Sequence, residues 1–151
     1  NWGFGATGNV WLRVHSSGGK AVVSKTSGFG LTAFSEFHHS LATANLIDES
    51  VMVDGWAAVN RENYSSGAGH SATQNVLWNT KGGGIIRSRQ FGWGYVIGTS
   101  PTITIQTGLT GLFTGAAGTE PEDFVEGADE GETLFPQSLY EEQLFRRLNL
   151  P

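Results

Sequence analysis

Residues Asn75 to Thr99, NVLWNTKGGGIIRSRQFGWGYVIGT, constrain the fold more than any other stretch. Three short β-type runs follow one another there: Val76-Leu77-Trp78, Ile85-Ile86 and Tyr95-Val96-Ile97. Asn, Thr or Gly bounds each run, and Gly82-Gly83-Gly84 joins the first two. Three successive glycines oppose a helix, and no run has the length of one. The segment therefore reads as strand, corner, strand, corner, strand. Strands this short are not stable alone and must pair with others.

Similar runs recur along the chain. Val22-Val23, Val51-Met52-Val53, Val76-Leu77-Trp78 and Ile103-Thr104-Ile105 stand at intervals of between twenty and thirty residues, with shorter runs between them. That spacing predicts an all-β solenoid, a right-handed parallel β-helix. An antiparallel sandwich is the competing architecture. It favours tight hairpin turns such as Asn-Gly, and this sequence contains no Asn-Gly. Composition agrees with a β protein rich in corners: 22 glycines, and only 15% charged residues.

The chain divides by character. Residues 1–118 read as β-helix coils and 119–135 as an acidic, solvated loop. Residues 136–151 read as a C-terminal helix. In PQSLYEEQLFRRL, Ser138 and Glu141 fit a capping box, and Glu142 precedes Arg146 by one turn. Tyr140, Leu144 and Leu148 share a face. The helix is expected to cap the open end of the solenoid; an oligomerisation helix is the other reading. The opening Trp2-Gly3-Phe4-Gly5 resembles the interior of a β protein, so the chain is expected to be the C-terminal part of a longer one.

Charge is uneven. Nine of the 14 acidic residues lie after residue 119, whereas seven of the nine Lys and Arg lie before it. No clustered basic face is evident, which argues against a nucleic-acid partner. No apolar run is long enough to cross a membrane as a helix. With 0 Cys, disulfides and thiolate metal sites are excluded.

Several residues can carry chemistry. The Arg61–His70 segment is the longest polar insertion between apolar runs, and loops on a rigid scaffold often hold sites. Arg61, Glu62, Tyr64 and His70 suit acid–base work on a sugar. His38-His39 is a second source of imidazole, with His39 the candidate base. Arg87 and Arg89 alternate on one strand face, where two guanidiniums can grip carboxylates or sulfates. Trp56 and Trp93, each beside glycine, are candidate platforms for sugar rings, and Trp78 is expected in the core. Gly3-Phe4-Gly5-Ala6-Thr7-Gly8 matches GxGxxG literally. It lacks the strand-then-helix context of a dinucleotide site and implies no cofactor.

The segments FHHSLATANLIDESVMVDGWAAVNRENYSSGAGHSATQNVLWNT and IIRSRQFGWGYVIGT, with the tail TEPEDFVEG…TLFPQSLYEEQLFRRL, resemble the C-terminal coils of bacterial proteins with a pectate-lyase-like right-handed β-helix. The resemblance implies a protein of the extracellular space or cell envelope that handles polysaccharide. It matches no lyase or hydrolase motif residue by residue. The aspartate cluster that holds calcium in pectate lyases is not evident, since Asp48 and Asp54 stand apart. No metal or other cofactor is therefore expected.

Two enzyme mechanisms compete. A lyase needs a base, here His70 or His39, and a cation such as Arg61, Arg87 or Arg89. A hydrolase needs two carboxylates, drawn from Glu36, Asp48, Glu49, Asp54 and Glu62. The alternative of another class is a non-catalytic carbohydrate-binding or structural module, such as an adhesin or phage-spike segment. Convergence of His70, Arg61 and Arg87 in one groove separates the two classes.

Overall fold

The computed structural model describes residues 5–23, 25–26, 30–31, 33–61, 69–107 and 122–150. In chain order the strands are β1 (Val10–Leu12), β2 (His15–Ser16), β3 (Val22–Val23), β4 (Gly30–Leu31), β5 (Ser35–Glu36) and β6 (Leu46–Asp48). There follow β7 (Val51–Met52), β8 (Trp56–Val59), β9 (Val76–Thr80), β10 (Ile85–Arg89), β11 (Tyr95–Thr99), β12 (Thr104–Gln106) and β13 (Phe124–Glu126). One helix, α1 (Leu139–Asn149), ends the described chain. The three runs of the opening segment are thus strands β9, β10 and β11.

The chain is mostly sheet, but the regular solenoid predicted from the spacing is not its fold. The strands fall into several separate sheets. A parallel sheet of five strands has the order β1-β6-β9-β11-β13, and a parallel sheet of four has the order β12-β10-β8-β5. A parallel pair, β2-β7, and an antiparallel pair, β3-β4, complete them. No constant repeat links the strands. Val10 pairs with Leu46, Leu46 with Val76, Val76 with Tyr95 and Tyr95 with Phe124, so the loop between register partners shortens sharply at β11 and lengthens again at β13. Equal spacing of apolar runs in sequence did not translate into equal turns of structure, because the runs enter different sheets.

Strand alternation builds the core. In the five-stranded sheet Trp11, Ile47, Leu77 and Val96 stand in one cross-strand row. In the four-stranded sheet Ile105, Ile86 and Trp56 do the same. Ile47, Leu77, Val96, Ile86 and Trp56 are all fully buried. Phe37 packs edge-on to Trp56 at 5.6 Å and to Trp11 at 6.3 Å between ring centroids, a geometry favoured by the ring quadrupoles. Trp78, expected in the core, is half-buried instead, and its indole N–H donates to Pro136 O at 3.0 Å.

A buried polar ladder runs across the strand entries. Asn45 Nδ2 donates to Asn75 Oδ1 at 2.9 Å, and Asn75 Nδ2 donates to Gln90 Oε1 at 2.9 Å. Asn9 joins through its Nδ2 to Asn45 Oδ1 at 3.1 Å. Asp123 ends the ladder by accepting from the Gln90 and Gly94 N–H groups, each at 2.9 Å. Gly94 is required here, because a Cβ would lie 1.9 Å from Gln90 Nε2. The ladder satisfies backbone groups that corners leave without a sheet partner.

The C-terminal segment runs back along the carboxyl ends of the five-stranded sheet. Gly131 N–H donates to Thr99 O at 2.9 Å, Asn79 Nδ2 donates to Gln137 O at 3.0 Å, and Ser138 Oγ donates to Asp48 at 2.7 Å. Next, Arg13 holds Glu141 through two hydrogen bonds of 2.9 and 2.6 Å. The helix that follows has no buried residue. It therefore does not cap a core, as the sequence predicted; it is anchored by polar contacts at its first turn.

Candidate functional site

The four-stranded sheet has one buried and one accessible face. On β10, Ile86 and Ser88 are fully buried, whereas Ile85, Arg87 and Arg89 are half-buried on the opposite side. Register places Arg87 between Gln106 on β12 and Ala57 on β8, with Glu36 on β5 beyond Ala57. Arg89 stands beside Val59.

The environment of the two arginines is unfavourable to charge. Burial pulls both guanidiniums below the usual arginine range, and repulsion from Arg89 lowers Arg87 further. Arg87 donates through Nε to Gln106 Oε1 at 3.1 Å and lies 4.5 Å over the Phe34 ring. Among the described residues no carboxylate forms a salt bridge with Arg87.

Beside this pair lies a charged cluster. The His38 imidazole contacts the Glu36 carboxylate through Nδ1, and Arg61 Nη1 lies against the same ring, 2.5 Å from Nδ1 and 2.9 Å from Nε2. His39 packs edge-on to His38 at 4.5 Å between centroids. The Arg61 backbone is fixed by Ser71 Oγ, which accepts from its N–H at 3.0 Å.

Beyond Arg89 the outward alternation continues around a corner. Gln90 and Gly94 are buried, while Phe91 and Trp93 are exposed. Trp93 holds φ at 89°, a region that bulky residues rarely occupy. Its ring lies 6.0 Å from Phe124, and Tyr95 stacks on Phe124 at 5.5 Å. One surface strip thus passes from two cations to an aromatic corner.

The predicted site residues separate into groups. Arg87, Arg89 and Arg61 lie on or beside the accessible sheet face, and His39 lies next to His38 there. Trp93 is exposed. Trp56 is not: it is fully buried, because the alternation of β8 turns it inward against Phe37. His70 is exposed and stacked on Phe91 at 4.0 Å. Glu62 and Tyr64 lie outside the described residues. Three of the acids proposed for a hydrolase are engaged elsewhere. Asp48 receives the helix, Glu49 pairs with Arg13 at 2.8 Å, and Asp54 accepts from Gly19 N–H at 3.0 Å. Sequence reasoning missed Phe34 and Phe124 as members of the site, and it offered Glu36 only as a hydrolase carboxylate and His38 only as the neighbour of His39. The period of two from Arg87 through Arg89, Phe91 and Trp93 to Tyr95 was the available signal. Among the described residues no three His, Asp or Glu side chains converge to hold a metal.

No protein family, no curated protein and no solved structure matches this chain.

Proposed function

We propose that the accessible face of the four-stranded sheet binds an anionic polysaccharide without cleaving it. The observation that carries the reading is the Arg87–Arg89 pair, two partly buried cations that repel each other. An anion placed over them relieves that repulsion and accepts bidentate hydrogen bonds. A polymer of uronate or sulfated sugars presents such anions at regular spacing. Trp93, Tyr95 and Phe124 continue the strip with ring faces suited to the apolar side of a sugar. Polymers of this kind are extracellular, so the reading assigns the protein to the cell exterior or envelope.

Affinity electrophoresis tests it. Polygalacturonate or heparin in the gel is expected to retard the protein, and dextran is not. Arg87→Ala with Arg89→Ala removes the retardation. Equal retardation by dextran, or full retardation of the double variant, would sink the reading.

A catalytic version rests on a separate observation, the Glu36–His38–Arg61 cluster. A carboxylate-oriented imidazole beside a cation is the equipment for removing a proton next to a uronate carboxylate. Unsaturated product absorbing in the ultraviolet, lost in His38→Ala, would establish it. His70 takes no part in this version.

A further inference from the structure

The Arg87 side chain is held from two directions before any ligand arrives. Its Nε donates to Gln106 Oε1 at 3.1 Å, and its guanidinium carbon lies 4.5 Å from the centre of the Phe34 ring. Gln106 is its register partner on β12, on one side of β10. Phe34 immediately precedes β5, which lies beyond β8 on the other side. Two residues distant in sequence thus meet on one side chain.

The ring has a prepared seat. A Cβ at Gly55 would lie 2.7 Å from Phe34 Cε1 and 2.7 Å from Ile85 O. The bare backbone at that corner gives the ring its room. The Ser35 N–H, donating to Gly55 O at 3.3 Å, ties the segment to the same corner.

Chemistry sets what the two contacts leave over. A guanidinium donates through five N–H groups and accepts nothing. With Nε on Gln106 and one face over a ring, the edge between Nη1 and Nη2 remains the fork for a bidentate anion. Stacking and the hydrogen bond at Nε both restrict rotation of that fork. An arginine fixed in advance loses less rotamer freedom on gripping an anion, and binds it more tightly for that reason.

We propose that Phe34 and Gln106 are positioning residues that preorganise Arg87 as an anion clamp. Phe34 acts through its ring and Gln106 through its amide oxygen. The inference rests on the reading that this sheet face binds an anionic polymer.

Two measurements on the 151-residue protein test it. In the ligand-free wild type, nitrogen-15 relaxation at Nε is expected to show Arg87 more ordered than the exposed Arg147. Phe34→Leu and Gln106→Ala should each lower that order towards the Arg147 level. Phe34→Tyr, which keeps the ring, should not. Affinity electrophoresis against graded polygalacturonate should follow the same pattern. Binding weakens about two- to tenfold in Phe34→Leu and Gln106→Ala and is unchanged in Phe34→Tyr. Unchanged circular dichroism checks that each variant keeps its fold. An Arg87 as mobile as Arg147 in the wild type overturns the inference. Weaker binding with the Arg87 order intact overturns it too, since the two residues would then be direct contacts. If both variants bind as the wild type does, while Arg87→Ala with Arg89→Ala loses binding, positioning falls and the polymer reading stands. A wild type that binds neither polygalacturonate nor heparin overturns both.

Discussion

The Asp48 carboxylate accepts a hydrogen bond from Ser138 Oγ at 2.7 Å across 90 residues of chain. The same carboxylate accepts from Tyr140 N–H at 2.8 Å and Leu139 N–H at 3.3 Å. Ser138 meanwhile accepts from Glu141 N–H at 3.2 Å as the local N-cap. A strand residue thus completes the capping of a distant helix. The negative charge also suits the positive end of the helix dipole. This pairing anchors the first turn of α1 to β6.

Asp48→Ala should therefore cost about 3 kcal/mol, since charged hydrogen bonds are lost and buried donors are left without an acceptor. Ser138→Ala should cost about 1 kcal/mol, the usual value of an N-cap. Urea unfolding measures both. A loss for Asp48→Ala no greater than for Ser138→Ala would mean that other contacts hold the helix.

Asn75 is the centre of the buried ladder. It accepts from the Asn45 N–H and Nδ2 and donates to Ala42 O and Gln90 Oε1. Asn75→Ala strands several of these groups, so a loss of about 3 kcal/mol is expected. A cost below about 1 kcal/mol would show that the neighbours re-pair among themselves.

Asp123 supplies a pH signature. Burial raises its pKa, against the hydrogen bonds from Ser88 and from the Gln90 and Gly94 N–H groups. A raised folded-state pKa gives stability that is complete below the unfolded value and is lost as pH climbs through the folded one. The stability of the wild type relative to Asp123→Asn should thus decline as pH rises from the ordinary aspartate value through the raised folded one. Other carboxylates cancel in the difference. A flat or rising difference across that range would contradict the assignment.

Leu144→Asp distinguishes the observed helix from a cap. Leu144 is half-buried and its neighbours Phe145 and Leu148 are exposed. The substitution should cost about 1 kcal/mol or less and leave the protein soluble. Aggregation of the dilute variant with a collapsed melting transition would restore the capping role.

Residues Val76 to Thr99 by themselves determined three short strands, because period-two apolar patterning and glycine corners are local properties. Ser138, Glu141 and the charge pair Glu142–Arg146 likewise determined the helix: Arg146 Nε reaches Glu142 at 2.7 Å as its spacing requires. The outward pairing of Arg87 and Arg89 was also legible, since alternation alone sets it. Tertiary structure decided the rest. Which sheet each strand joins depends on loop paths, and equal spacing in sequence does not encode those. That choice replaced the regular solenoid by several sheets and turned Trp56 inward. It also brought Arg61 to His38, and Asp48 to Ser138. Contacts between residues so far apart arise only when the chain closes on itself, because no local pattern links their positions.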